Sequence, residues 1–404
     1  MHNCNICSSQ HLESILFMER FPYFTIPVTS QVGEKILKKY SHDQLTTNLQ
    51  INACLECGHC HQDTLPDFKV LNDLYANHYQ YPSPLEANFN PERDNTFINI
   101  FNDFFQKNDD YKKTDKKILE IGCFDGYVLY HLKKFGFNVI GCDPSEGAII
   151  GKKYGVPIYQ EFFEPERFQA RKEMFDIVIS RHFVEHVVHP LEYINSFKQV
   201  LHSDGLLVIE VPNATYYLKK GLMEVFSPQH IQGFSVKSLT LLLKKASFDN
   251  IYTIESENNL IAFARNNISK NENETLINYQ EIIIKYLAKL NDNRKMIKNI
   301  IQKYVKKNKK IALWGAGGFA IAAFKFYDIS PFDITCIIDS DPKKVGLKFL
   351  GIDLEIALPT KEIITQLDLI VVTSMYTKSI IEMINKIDSK ISILAIYPKP
   401  QLIS

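Results

Sequence analysis

The sequence predicts an α/β chain of two doubly wound units in series, preceded by a small cysteine-paired module. Three observations carry this expectation. Residues 117–212 and 310–396 each alternate strand-like and helix-like segments, the pattern of a parallel sheet covered by helices. Each unit opens with a strand running into a glycine turn, Gly122–Gly126 and then Gly315–Gly318, with an acid ending the next strand. Near the N-terminus, four cysteines form two Cys-x-x-Cys pairs.

A chain of 404 residues is too long for one compact core, so two or three domains are expected. The expected boundaries are a cysteine module at 1–67, a first α/β unit with a helical lead-in at 68–267, a helical linker at 268–309 and a second α/β unit at 310–404. Forty-six basic and 46 acidic residues give no net charge, which argues against nucleic acid as a partner. No apolar run is long enough to span a bilayer and the start lacks a signal pattern. The expected setting is therefore the cytoplasm, with no membrane partner.

A reducing setting argues against disulfides. Residues 1–67 read as irregular, with little periodicity. Cys4-x-x-Cys7 and Cys54-x-x-Cys57 can close on one tetrahedral ion, and four thiolates with no open position mean structural zinc. His59, Cys60 and His61 are spare ligands, while Cys123, Cys142 and Cys336 read as core residues. Residues 68–111 read as partly helical, broken at Tyr79-Gln80-Tyr81-Pro82-Ser83-Pro84. Farther on, Ile283, Tyr286, Leu287, Leu290, Ile297, Ile300, Ile301 and Tyr304 predict a helix across Leu276–Val305.

At the first glycine turn, Gly122 and Gly126 let the backbone approach a ligand closely. Asp143 lies 21 residues after Gly122, the spacing that sets a carboxylate on ribose hydroxyls. Phe124 occupies the middle position, so the turn is not a dinucleotide GxGxxG. The form Glu120-x-Gly122-x-x-x-Gly126 resembles instead the class I methyltransferases that use S-adenosylmethionine. Phe175–Ser180 followed by Arg181-His182-Phe183-Val184-Glu185-His186 resembles their fourth-strand motif, and Leu201–Pro212 their fifth strand.

The whole pattern resembles a narrower family, the zinc-containing sugar methyltransferases of deoxysugar biosynthesis, which methylate carbon 3 of a nucleotide-linked 4-keto sugar. The matching pieces are the cysteine pairs, Tyr79-x-Tyr81-x-Ser83, Glu120-Ile121-Gly122-x-x-Asp125-Gly126-Tyr127, Asp143-Pro144, Glu161-Phe162-Phe163, and Trp314-Gly315-Ala316 through Asp339 to Lys344-x-Gly346. The resemblance implies a class I (Rossmann-like) methyltransferase domain and a C-terminal Rossmann-like domain. It implies S-adenosylmethionine held by Glu120, Gly122, Asp125, Gly126, Asp143, Pro144, Phe162 and Arg181, and structural zinc on Cys4, Cys7, Cys54 and Cys57. The implied substrate is a nucleotide sugar of surface-polysaccharide or natural-product biosynthesis.

The chain departs from that family at the chemistry. The family's Tyr-x-Glu-His reads Ser227-Pro228-Gln229-His230 here, and its His-Gly-Gly-Ser reads Glu257-Asn258-Asn259-Leu260. Oxygen and nitrogen acceptors therefore stand beside carbon. Methyl transfer needs alignment and loss of the acceptor's proton, work suited to a neutral histidine. The candidates are His230 and His186, with Tyr81 as a substrate contact. The plainer roles are that His186 caps a helix, His230 fixes a loop and the tyrosines pack the module. Because Gln229 carries no charge, His230 is expected to be a weak base, which favours a hydroxyl acceptor. The second glycine turn, with Asp339 24 residues after Gly315, supports a rival NAD-dependent oxidoreductase or epimerase. No Tyr-x-x-x-Lys pair stands near it, so no NAD dependence is expected. A scaffold with a decayed cofactor site is a further class, opposed by the intact Gly122, Gly126 and Asp143. Nothing in the sequence indicates an oligomeric state.

Overall fold

The computed structural model describes residues 3–78, 83–86, 91–107, 116–256, 258–265 and 277–403. Its first strands are β1 (Leu12–Pro22), β2 (Thr46–Cys54) and β3 (Cys60–Gln62), paired antiparallel in that order. The sequence reading of an irregular start is corrected here. Register shifts between Ser14 and Leu16 and between Met18 and Phe21 interrupt the β1–β2 ladder. The buried residues of β1 are Ile15, Leu16, Met18 and Phe21, so the alternation that marks a strand is lost at each shift.

The central sheet contains β4 (Lys117–Ile121), β5 (Asn138–Cys142), β6 (Ile158–Tyr159), β7 (Phe175–Arg181) and β8 (Leu201–Pro212). A two-residue strand, β9 (Gln232–Gly233), then leaves it to join β3 of the first sheet, pairing Cys60 with Gly233 and His61 with Gln232. The hairpin β10 (Asn250–Ser256) and β11 (Asn259–Arg265) returns to the central sheet. The strand order is β10-β11-β8-β7-β4-β5-β6. Strands β4 to β8 run parallel and β11 is antiparallel to β8. Strands β4 and β7 are apolar along most of their length because helices cover both faces. The order reverses between β4 and β7, which opens a crevice at their carboxyl ends.

The helix Tyr279–Val305 leads to the third sheet, β12 (Ile311–Trp314), β13 (Cys336–Ile338), β14 (Ile356–Ala357), β15 (Leu369–Val372), β16 (Ser392–Ala395) and β17 (Gln401–Ile403). Its order, β14-β13-β12-β15-β16-β17, reverses between β12 and β15, beside the second glycine turn. The long helix buries Tyr279, Ile283, Tyr286, Leu290, Ile297 and Ile301 along one stripe. That stripe shares a core with Leu49 and Ile51 of β2, Leu218 of the helix Ala214–Lys220, and Ala320 and Phe326 beyond β12. The first and third sheets and the segment after β8 thus share one core along this helix. Among the described residues no helix is long and apolar enough to cross a membrane.

The packing along the long helix is tightest at Gly58, in the second cysteine knuckle. Its φ is +67°, and a Cβ there would lie 2.1 Å from the Tyr279 ring. Gly58→Ala should lower stability by about 2 kcal/mol or more, from overpacking and left-handed strain. Denaturant unfolding checks this, and adding Tyr279→Ala should cost less in the Gly58→Ala background than in the wild type.

Candidate functional site

The first glycine turn sits at the carboxyl end of β4, against the crevice. Gly122 and Gly126 take φ of +74° and +71°, open to glycine without strain. At Gly122 an added Cβ would meet nothing closer than the Phe183 ring at 3.6 Å, so the backbone there is approachable. Asp143, at the end of β5, accepts from the Phe124 N–H at 2.8 Å through Oδ2 and from the Ser145 N–H at 2.9 Å through Oδ1. The acid that the sequence assigned to ribose therefore also fixes the turn. Asp125 accepts from Ser83 Oγ and the Leu85 N–H through Oδ2, and from the Tyr127 N–H through Oδ1. It ties the lead-in segment over the turn. Tyr81, two residues before Ser83, lies outside the described residues. Pro144 is exposed after Asp143, and Phe162 is 71% exposed on the connection that follows β6.

Arg181 is reassigned by its surroundings. Its guanidinium bonds Asp94 at 2.8 Å and Glu210 at 2.7 Å, lies 3.7 Å from Glu120, and stacks on Phe97 at 4.4 Å. It is the buried counter-charge of three carboxylates, which is a structural duty. Burial pushes Glu120 up to about 8 despite Arg181 beside it.

On the far side of β7, a short 3-10 turn at Val184–His186 meets the loop after β8. His186 Nδ1 donates to the Gln229 carbonyl at 2.8 Å, and His230 Nδ1 donates to the Val225 carbonyl at 2.7 Å. A carbonyl only accepts, so Nδ1 carries the proton and each Nε2 keeps its lone pair. Burial lowers both imidazoles, His230 to about 3, with His186 adding to its shift. The two rings meet edge to face with centroids 5.0 Å apart. The sequence paired His230 with position 229, but the Gln229 amide instead donates to the Tyr23 carbonyl at 3.3 Å. The carboxylate facing the histidines is Glu185, 1% exposed, with Oε1 4.0 Å from His186 and 3.4 Å from His182. Sequence reading quoted Glu185 without giving it a role. Its adjacency to His186 was visible, whereas its convergence with His230, 45 positions away, was not. Next to them His182 holds φ of +49°, a strained conformation at the strand end.

The loop carrying His230 is clamped from the N-terminal sheet. Gln62 Nε2 donates to the Ser227 and His230 carbonyls at 2.6 and 3.0 Å. Gln232 accepts from Asn5 and sits 2.9 Å from His59 Nε2, while its own amide donates to the Val187 and Val188 carbonyls. Next to this clamp Cys4, Cys7, Cys54 and Cys57 converge, with Sγ separations of 3.7 Å for Cys4–Cys57 and 3.5 Å for Cys7–Cys54. Bonds of about 2.3 Å from a tetrahedral zinc put sulfurs about 3.8 Å apart, so the donor set and its spacing fit that ion. The Cys4 hydrogen bond drives Cys54 far down, while Cys54 pushes Cys4 up to about 12. His59, Cys60 and His61 fall outside the four-sulfur group.

In the second unit, Asp339 repeats the arrangement of Asp143. Oδ2 accepts from the Ala316 N–H at 2.7 Å, and Oδ1 from the Asp341 N–H at 2.9 Å. Here Lys344 also bonds Oδ2, at 2.8 Å, which a free ribose-binding acid lacks.

Residues 92–253 match the family model of a methyltransferase domain, and residues 253–393 match that of a C-methyltransferase C-terminal domain. Together with the strand order, these matches identify the central unit as a class I, Rossmann-like S-adenosylmethionine-dependent methyltransferase domain. The ubiquinone biosynthesis O-methyltransferase of Roseobacter denitrificans is 27% identical over 143 residues, 34% of this chain and 57% of the relative. That of a Ruegeria species is 32% identical over 102 residues, 24% of this chain and 41% of the relative. The chain thus spans about half the length of the curated relatives it matches. Among solved structures, magnesium protoporphyrin IX methyltransferase from Synechocystis PCC 6803 with bound SAH aligns at 13% identity and a TM-score of 0.38. It covers 50% of this chain and 100% of that one.

Arg181→Met leaves three buried carboxylates without their cation. Unfolding by denaturant should show a loss of about 3 to 5 kcal/mol, the scale of a broken buried ion pair. A variant as stable as the wild type would return Arg181 to the list of cofactor contacts.

Proposed function

We propose that the protein is a methyltransferase that transfers the methyl group of S-adenosylmethionine to a nucleotide-linked sugar, with a structural zinc ion in its N-terminal module. The observation that carries the reading is the meeting of His186, His230 and Glu185 beside the crevice where β4 and β7 part. Gly122, Gly126 and Asp143 would hold the cofactor, whose sulfonium supplies an electrophilic methyl group when bound. The chain's own residues align the acceptor. His186 and His230 offer Nε2 lone pairs toward it, held by carbonyls at Nδ1. The Ser83–Asp125 contact ties the lead-in to the turn. The second Rossmann-like unit, its Asp339 tied to Lys344, is read as holding the substrate's nucleotide part and not NAD.

A carbon next to a ketone is the favoured acceptor. The C-terminal match is to a C-methyltransferase domain, and Glu185 supplies the carboxylate that Gln229 lacks. A sugar hydroxyl is the second reading, favoured by the names of the curated relatives, which are O-methyltransferases.

Labelled S-adenosylmethionine and a panel of nucleotide sugars should yield a methylated sugar, with NMR placing the label on carbon. His186→Asn and His230→Asn should each reduce turnover by about a hundredfold while keeping cofactor affinity. Asp143→Ala should do the reverse, weakening calorimetric cofactor binding first. Wild-type turnover in both histidine variants would leave the mechanism to positioning alone. Separately, metal analysis should find about one zinc bound by thiolates per chain. Cys54→Ala should remove that zinc and lower folding yield, and a zinc-free chain that stays folded and active would overturn the structural assignment.

A further inference from the structure

We propose that Glu185, His186 and His230 bind a divalent cation, distinct from the zinc of the cysteine module, with open positions facing the acceptor. For the cation's part in the reaction, this rests on the function read above; for its binding, it does not.

One ligand atom from each of the three residues lies within 4.8 Å of the others, against about 3 to 4 Å around a shared ion. Small side-chain rotations close that gap. The second observation is Glu185 itself. It is 1% exposed, and neither of its carboxylate oxygens has a hydrogen-bond partner among the described residues. A buried carboxylate left this way is costly and rare in native folds. Two imidazoles lie beside it, His182 at 3.4 Å and His186 at 4.0 Å from Oε1, and the Arg93 charge also acts on it. A metal ion would give its two oxygens the partner they lack.

The histidines are oriented as ligands usually are. Each gives its Nδ1 proton to a backbone carbonyl, which fixes the ring and leaves Nε2 for the ion. His186 and His230 are only half buried, so the cluster is closed on the Glu185 side and open on the other. Two nitrogens and one oxygen with open positions suit manganese, iron, cobalt or zinc in a catalytic role, unlike the closed four-sulfur site. The ligand class for the open positions is a pair of oxygens, such as a ketone beside a hydroxyl on a sugar. A cation there would take up the Nε2 lone pairs and polarise the acceptor oxygen, and the acceptor's proton would leave to a water held on the remaining open position.

The test is an EPR titration of Mn2+ into full-length protein whose cysteine site is already loaded with zinc. About one bound Mn2+ per chain is expected. Glu185→Gln and His230→Asn should each weaken it by more than tenfold, while thiolate-bound zinc and calorimetric affinity for S-adenosylhomocysteine stay at wild-type values. No Mn2+ or Co2+ binding by the wild type, or equal binding by both variants, overturns the proposal. Full methyl transfer in chelator, with only thiolate-bound zinc retained, overturns the cation's role and leaves the function standing. Mn2+ bound as expected without methylation of any nucleotide sugar supports the site and counts against the sugar reading instead.

Discussion

The catalytic side of this protein depends on a two-residue strand. β9 takes the chain out of the methyltransferase sheet and pairs it with the cysteine module, only two positions after His230. Without that pairing the segment from Val225 to Gly233 is a loop with few side-chain anchors. With it, Gln62 holds the His230 carbonyl, Asn5 and His59 hold Gln232, and Gln232 reaches back to Val187 and Val188 just after His186. Both histidines are thereby set from one frame. The four cysteines reach the two histidines through this path. A thiolate-bound ion that stiffens Cys54–Cys60 stiffens β3, and β3 sets the register of β9.

Local signals were readable in the sequence and long-range ones were not. The glycine turn, the acid 21 residues on and the two cysteine pairs are short patterns whose spacing is fixed by one turn or one ion. The long helix was readable because one stripe of it is buried throughout, from Tyr279 to Ile301. The N-terminal sheet was missed because its register shifts break the alternation that marks a strand. Arg181 was assigned to the cofactor because its motif stands beside the site. Its partner Asp94 lies 87 positions away, and no local pattern announces that pair. Glu185 gives no local signal of its own: it stands beside His186 in sequence, and its other partner, His230, belongs to a separate connection.

The two acid clusters flanking β7 follow opposite electrostatic rules. Behind the strand, Asp94, Glu120 and Glu210 surround Arg181, and Asn259 donates to Glu210 at 3.0 Å. That cluster has its cation built in. Beyond the end of the strand, Glu185 lies beside His182 and His186, and burial pushes its carboxyl up to about 8 although Arg93 pulls it down. His182 stands between the two, 3.6 Å from Glu210 and 3.4 Å from Glu185. A fold that needed only stability could have placed an apolar residue at 185, since the neighbouring Val184 is buried without difficulty. Keeping a carboxyl there, next to two oriented imidazoles and at the switch point of the sheet, places its unpartnered oxygens where an incoming ligand arrives. That is a deficit a functional site uses and a structural one avoids.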